Sequence, residues 1–150
     1  MNRDGQTIYQ RYREAAGLTQ EYAAELLGVS VRTLAAWEAG ERQVPDIKVA
    51  DMCDLYGIPV MAIQHLRLNS VIGQAVLPPV DALPLPQAVC QFCSAVRDIY
   101  RLDAEGRLMR IAADGKVDKL EQAEFAELLE ALEPVIQAAL ALRYAQGGGE

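Results

Sequence analysis

Two helix-start signals lie eleven residues apart near the N-terminus, and they constrain the fold of this chain more than any other feature. Thr19 and Ser30 are hydroxyl residues of the kind that accept a hydrogen bond from the free N–H groups of a helix's first turn. Between them, Gly28 stands where a helix would end in a left-handed residue. The segment 17–45 is therefore predicted to form two short helices joined by a tight turn.

Apolar residues at helical spacing support both helices. The residues predicted to face inward are Ala23, Leu26, Leu27, Leu34 and Trp37. A helix, a turn of three or four residues and a second helix form the helix-turn-helix motif of DNA-binding proteins. A helical hairpin with no link to DNA has the same apolar spacing, so the spacing alone does not decide between the two.

A longer set of residues around these helices resembles one family. The matching residues are Arg13, Gly17–Gln20, Gly28–Ser30, Thr33–Leu34, Trp37–Gly40 and Pro45. Together they resemble the lambda-repressor-like, Cro-type helix-turn-helix proteins, also called the XRE family. The resemblance extends over roughly residues 1–69. It implies an all-α bundle of about five helices in which the helix opened by Ser30 enters the major groove.

The resemblance also implies a role for individual side chains. Base edges would be contacted by Val31, Arg32, Thr33 and Ala36, with Thr33 at a base or the nearby backbone. DNA phosphates would be contacted by Gln20, Ser30, Arg42 and Gln43. Arg13 and Glu38 would form a partly buried ion pair that fixes the angle between two helices. Two exposed charges are the competing interpretation of that pair.

Two further helices are expected before residue 70. Pro45 followed by Asp46 is typical of a helix start, and Gly57 is expected to end that helix. A fifth helix is predicted to begin at Pro59. His65, the only histidine, lies near its end without a cysteine or carboxylate cluster around it, so a solvated side chain is expected.

Residues 70–86 are predicted to form a linker. Four prolines fall within nine residues there, which disfavours helix and favours an extended path. The apolar side chains of the segment leave two alternatives open, a free tether or docking on one of the flanking domains. The docking residues would be Val76, Leu77, Val80 and Leu83.

Residues 87–146 are predicted to form a long antiparallel helical hairpin, which completes an all-α chain. The apolar stripe of the first arm is Phe92, Ala95, Ile99, Leu102, Gly106, Met109 and Ala113. Gly106 is the expected site of a bend. Asp118 with Glu121 predicts a capping box at the start of the second arm. The acidic run of that arm is expected to be a solvated face: Glu121, Glu124, Glu127 and Glu130.

The hairpin is expected to form a homodimer. Leu85–Val89, Ala112–Val117 and Glu121 resemble the C-terminal helical part of phage CII-type regulators, which implies an oligomerising module. More apolar residues are available on the second arm than one hairpin can cover, so two hairpins would form a four-helix bundle. The predicted dimer interface, within residues 87–143, is Phe125, Leu129, Leu132, Ile136 and Leu140.

The charge balance keeps a second function open. The net charge of −7 is unusual for a nucleic-acid binder, because neutralising phosphate is the main sequence-independent source of affinity. Most of the acid lies in residues 70–150, with seven Lys and Arg against twelve Asp and Glu. A phage or mobile-element repressor that binds operator DNA is favoured. The alternative is a protein-binding adaptor or antitoxin-like partner that uses the hairpin.

Other function classes lack their signatures in the sequence. We expect a cytoplasmic protein without membrane segments, because there is no apolar run of about eighteen residues and no apolar stretch typical of a signal peptide. Cys90 and Cys93 have no second ligand pair with which to hold zinc, and Cys53 is expected to be a free thiol. No cofactor and no enzymatic activity are therefore predicted.

Overall fold

A computed structural model describes residues 6–145, which contain helices and no β-strand. Residue 146, the predicted end of the hairpin, lies outside the described residues, as do residues 1–5 of the predicted first domain. The chain divides into two compact units, Met1–Ala82 and Leu83–Glu150. No helix of the described range is long and apolar enough to cross a membrane.

Within residues 6–82, the N-terminal unit contains the five predicted helices and one more. Their bounds are α1 Ile8–Ala15, α2 Gln20–Leu26, α3 Val31–Glu38, α4 Asp46–Tyr56, α5 Val60–Asn69 and α6 Val71–Val76. The expected caps are confirmed, because the Thr19 and Ser30 hydroxyls accept from the backbone N–H groups of Tyr22 and Thr33. Gly57 ends α4 with a φ of +68°, in the left-handed conformation that glycine adopts without strain.

The core of this unit lies where α1 packs against α3, α4 and α5, with α2 packed on α3. Leu34, Met52 and Met61 are fully buried there. The prediction that Leu26 faces inward is wrong, because this residue is 50% exposed. It stands in the last position of a seven-residue helix, where the buried positions are Ala23 and Ala24.

The expectation of a solvated His65 is also wrong. The imidazole is 2% exposed and lies in a buried hydrogen-bond network. The helix that carries it packs against both α1 and α4. This histidine is therefore part of the polar interior of the N-terminal unit.

The predicted linker is only partly extended. Val71–Val76 form α6, and Ser70 caps this helix by accepting from the Gly73 N–H. The prolines that disfavour helix begin only at residue 78. Beyond α6 the chain docks on α5, where the Gln64 amide donates to the Val80 carbonyl at 2.7 Å and Val80 is buried. Of the two alternatives for residues 70–86, docking is observed at Val80, whereas the Val76 side chain is exposed.

Between residues 83 and 145, the C-terminal unit contains three α-helices and a short 3-10 helix. The α-helices are α7 Leu85–Arg101, α8 Ala104–Ile111 and α9 Gln122–Arg143, and the 3-10 helix spans Ala112–Asp114. Both α7 and α8 pack against α9. The capping box before α9 is confirmed, because the backbone N–H of each of Asp118 and Glu121 donates to the other residue's carboxylate.

The first arm is broken three residues earlier than expected. The prediction placed a bend at Gly106, whereas α7 ends at Arg101 and Asp103 takes a left-handed φ of 49°. The break changes which residues of α8 are buried. Ala104 and Ile111 are buried, whereas Met109 from the predicted stripe is 70% exposed.

The acidic run of α9 is not simply solvated. Glu124 accepts from the guanidinium groups of Arg107 and Arg110 on α8, and Glu127 accepts from Arg107. The hydrogen bond from Arg107 holds the pKa of the Glu124 carboxyl below its usual value. These ion pairs connect α8 to α9.

Candidate nucleic-acid interface

Helices α2 and α3 are joined by a turn of the length that a helix-turn-helix requires. The turn is Leu27–Ser30, and Gly28 within it has a φ of +65°. The Val29 N–H closes the turn by donating to the Ala24 carbonyl at 2.9 Å. Lys48 on α4 donates to the Leu27 carbonyl at 2.8 Å, which places a cation at the C-terminal end of α2. These contacts hold α2 and α3 in a fixed orientation relative to each other.

One face of α3 is buried and the opposite face is accessible. Leu34 and Trp37 are buried in the N-terminal unit. Of the predicted base-contacting residues, the structure places Val31 and Arg32 on the exposed surface, while Thr33 and Ala36 are half-buried. The accessible face thus carries one long cationic side chain, beside small and apolar neighbours.

Two predicted contact residues interact with each other at the start of α3. The Ser30 hydroxyl accepts from the Thr33 backbone N–H at 3.1 Å and lies 2.8 Å from the Thr33 hydroxyl. Ser30 is therefore the cap of α3, and it also orients the Thr33 side chain. Arg42 and Gln43 follow α3 in an exposed loop, after Gly40 has turned the chain with a φ of +73°.

The structure brings Arg13 and Glu38 together as a bidentate ion pair. The Arg13 Nε and Nη2 groups donate to the two Glu38 carboxylate oxygens at 2.6 and 3.0 Å. Arg13 and Glu38 are 6% and 3% exposed. The hydrogen-bonded carboxylate raises the pKa of the Arg13 guanidinium, so this group stays charged although it is buried.

Three further hydrogen bonds surround this pair. Arg13 Nη1 donates to the Leu18 carbonyl at 2.6 Å, and the Thr7 hydroxyl donates to the Glu38 carbonyl at 2.8 Å. The Gln20 amide donates to the Glu38 carboxylate at 2.8 Å. Gln20, predicted to contact phosphate, therefore has one amide N–H bound to Glu38 and a second N–H left for another acceptor.

Tyr56 lies close enough to the pair for its pKa to respond to the charges. Burial, with a smaller contribution from the Glu38 charge, raises the pKa of Tyr56 to about 12. Its hydroxyl is buried without a hydrogen-bond partner among the described residues. The phenol is therefore a neutral neighbour of the ion pair at physiological pH.

A second polar network, which is buried at His65 and Tyr9 and exposed at Asp46, was not expected from the sequence. His65 Nδ1 lies 2.7 Å from the Tyr9 hydroxyl, and His65 Nε2 lies 3.0 Å from Asp46 Oδ1. These contacts connect α5 to α1 and to the first turn of α4. Asn69, one turn further along α5, also contacts His65 Nδ1 at 3.2 Å. No local pattern could have indicated Tyr9 and Asp46, because they are 56 and 19 residues away in the sequence. The network therefore stabilises the packing of α1, α4 and α5, and α1 in turn packs against α3.

The cysteines form no metal centre in the part of the chain that the structure describes. Cys90 and Cys93 are exposed free thiols, and Cys53 is a buried one. No group of three or more His, Cys, Asp or Glu within residues 6–145 is placed to hold a metal ion.

A comparison with known protein families matches the part of the chain that contains α2 and α3. Residues 10–62 match the family model described as Helix-turn-helix (HTH_3). The match spans α2 and α3 completely, together with α4. No curated protein and no solved structure matched the chain. The matched family region ends before the C-terminal unit, whose resemblance to phage CII-type regulators stays a prediction.

Proposed function

Because residues 10–62 form a DNA-binding helix-turn-helix domain of the XRE type, we propose that this transcription regulator binds operator DNA as a homodimer, with α3 in the major groove. The observation that carries the proposal is the accessible face of α3, which is held in place by the Arg13–Glu38 pair at its far end. A repressor of the phage or mobile-element type fits this arrangement of a small DNA-binding unit and a separate helical unit. We expect it to act in the cytoplasm.

Arg32 is the residue most able to recognise a specific base. Among the proposed base-contacting residues, Val31 and Ala36 offer apolar contacts and Thr33 offers a hydroxyl. Only the Arg32 guanidinium can donate two parallel hydrogen bonds to a guanine, a contact worth roughly 1–3 kcal/mol of discrimination. Its exposure at the start of α3 leaves the side chain accessible to a base edge.

Four residues flanking these positions would fix the register on the DNA backbone. Ser30 can donate its hydroxyl proton to a phosphate while its oxygen continues to accept from the Thr33 N–H. Gln20 can use the amide N–H that Glu38 leaves unoccupied. Arg42 and Gln43 extend from the exposed loop after α3. Such contacts give affinity without sequence preference.

Replacing Arg32 by Ala tests the base contact. Sites selected by the wild-type protein from a random DNA library should show a guanine in each half-site that Arg32→Ala no longer requires. Overall affinity for those sites should fall by about 1–3 kcal/mol, measured by gel shift at fixed salt concentration. Arg97→Ala is the matched control, because Arg97 is an exposed arginine of α7. Uniform weakening on every sequence would instead make Arg32 a phosphate-contacting residue.

The dimer proposal depends on the face of α9 that the C-terminal unit does not cover. Leu129 and Ile136 are each 47% exposed, and Leu140 is half-buried. Phe125 packs against Ala104, Ile111 and Leu128, so most of its surface serves the core of its own unit. An exposed apolar stripe on a long helix is a typical oligomer surface. A dimer would present two copies of α3 to successive major grooves, about 34 Å apart.

Acidic residues on the exposed face of α9 test the dimer. The full-length Leu129→Asp, Ile136→Asp variant should be a monomer by light scattering and should lose operator binding, because each half-site alone is bound weakly. Gln122→Asp with Ala123→Asp adds the same two carboxylates at exposed positions of the same helix and should leave the dimer intact. A wild-type protein that is monomeric at high concentration would disprove the dimer.

The alternative, a protein-binding adaptor or antitoxin-like partner, is supported by the net charge of −7. Such a charge opposes binding to the DNA backbone. The random-library experiment also separates these two functions. Failure to enrich any DNA sequence at low salt would favour the adaptor.

A further inference from the structure

The C-terminal unit contains an apolar cavity at the break between α7 and α8. Its volume is about 280 Å³, close to the lower limit of roughly 300 Å³ for small-molecule sites. Val96 and Ile99 of α7 form one wall, and Leu132 and Val135 of α9 form the other. These side chains offer no hydrogen bond, so a ligand would place its apolar part between them.

The break between α7 and α8 adds charge to this cavity. Asp103 and Glu105 both line it at its solvent-exposed side. Asp103 is also the one non-glycine residue with positive φ between residues 6 and 145. Aspartate adopts this conformation more readily than most residues, and here it stands directly before α8. Here the conformation places two carboxylates next to an apolar wall.

Gly106 provides the space that the Asp103 carboxylate occupies. A methyl group added at Gly106 would lie 3.0 Å from both carboxylate oxygens of Asp103, closer than ordinary van der Waals contact. Glycine inside a helix costs about 1 kcal/mol relative to alanine. Gly106 thus leaves room for the Asp103 carboxylate, although glycine makes α8 less stable than alanine would.

The chemistry of the lining points to a cation. Tyr100, whose ring is 75% exposed, also lines the cavity, and aromatic rings attract cations through their faces. Residues 70–150 carry seven Lys and Arg against twelve Asp and Glu, so the wider field also favours positive charge. An anion would face two carboxylates. We infer that this cavity binds a small organic cation with an apolar body, such as a quaternary ammonium that carries an aromatic group.

A pair of probes with opposite charge tests this inference. Benzyltrimethylammonium and benzylsulfonate are similar in size and share the benzyl group. Titrated into the full-length protein and followed by NMR, the ammonium should give saturable shifts at Tyr100, Ala104 and Leu132. The sulfonate should bind at least about tenfold more weakly, because its charge has the sign of the carboxylates. Equal binding of both probes, or no saturable binding of the ammonium, would overturn the inference.

Variants then test the residues. Asp103→Asn with Glu105→Gln keeps the size of both side chains and should weaken ammonium binding at least about tenfold. Glu130→Gln removes an exposed carboxylate of α9 that does not line the cavity, and it should leave the affinity unchanged. Gly106→Ala should raise the thermal stability of the C-terminal unit and at the same time weaken ammonium binding. Unchanged binding in the double variant, with its helix content intact, would show that the carboxylates are not part of a site.

Discussion

The two units of this chain bury different kinds of side chain. Three polar or charged residues are buried among residues 6–145, and all of them lie in the N-terminal unit: Arg13, Glu38 and His65. The C-terminal unit buries apolar residues only, and four of its six buried residues are alanines: Ala88, Ala104, Ile111, Leu128, Ala138 and Ala141. A buried ion pair or hydrogen bond requires one geometry, whereas small apolar side chains tolerate several. The N-terminal unit is therefore the more narrowly specified structure.

Exposed apolar surface, in contrast, does not distinguish the two units. Leu120, Tyr100 and Met109 of the C-terminal unit are between 70% and 91% exposed. In the N-terminal unit, Val71 and Ile72 of α6 are 86% and 73% exposed. A helical unit with few large buried residues gains little from folding alone. The units therefore differ in what they bury, and the C-terminal unit has the fewer large residues in its core.

The largest expected effect comes from breaking the buried ion pair. Glu38→Ala leaves the Arg13 guanidinium buried without its carboxylate, so the free energy of unfolding of the N-terminal unit should fall by about 3–5 kcal/mol. Hydrogen exchange resolved by residue should show the loss in α1 to α5 and none in α9. Glu41→Ala, which removes an exposed carboxylate three residues away, should change the free energy of unfolding by less than about 0.5 kcal/mol.

A double variant sharpens this result. Arg13→Ala with Glu38→Ala should be no less stable than either single variant, because neither charge is then left alone. Simple additivity of the two losses would show that the residues do not act as a pair, and the comparison between the two units would lose its main support.

A smaller effect is expected at His65. His65→Leu removes the imidazole that contacts the Tyr9 hydroxyl at 2.7 Å, so that only the Asn69 amide at 3.3 Å remains beside this hydroxyl, and this should cost about 1–3 kcal/mol in thermal or urea unfolding. Adding Tyr9→Phe should recover part of the loss, since both polar groups are then absent. A loss that stays the same or grows in the double variant would mean that packing, and not the hydrogen bond, explains the role of His65.

The smallest effect is expected from the exposed ion pairs of the C-terminal unit. The pKa of Glu124 is lowered by Arg107, so the pair stabilises the folded state above the ordinary value of 4.5 and this contribution is lost as the pH falls. Arg107→Gln should make the acid-induced loss of helix in the C-terminal unit shallower, as followed by circular dichroism between pH 7 and about pH 3. The change should be small because water screens the pair. Arg97→Gln should leave the profile unchanged, and an equal change in both variants would exclude a specific role for Arg107.

Helix ends could be predicted from the sequence wherever the residues that cap a helix lie next to it in the chain. Thr19, Gly28 and Ser30 act within three or four residues of their own positions, and the predicted helices of the N-terminal unit follow them. Arg13 and Glu38 are 25 residues apart, and only the resemblance to a family connected them in advance. His65 had no such guide to Tyr9 and Asp46, because these two partners come from two other helices.

The break in the first arm shows a different reason for error. Gly106 was expected to bend the helix because glycine is a poor helix former, but a single glycine inside a helix costs only about 1 kcal/mol relative to alanine. Asp103 is a residue type that accepts a left-handed φ and that commonly stands before a helix. The aspartate at position 103 was therefore a better indication of the break than Gly106. The predicted apolar stripe is wrong beyond Asp103, because it assumed one continuous helix.

The contacts of Thr7 have a mechanical consequence for recognition of DNA. Its hydroxyl caps α1 and donates to the carbonyl of Glu38, at the last residue of α3. With the Glu38 side chain also bound to Arg13, α3 has little freedom to change its direction. On an imperfect operator we therefore expect the DNA to adapt to the protein by bending or twisting. The stiffness of base steps that no side chain touches would then contribute to which sequences are selected.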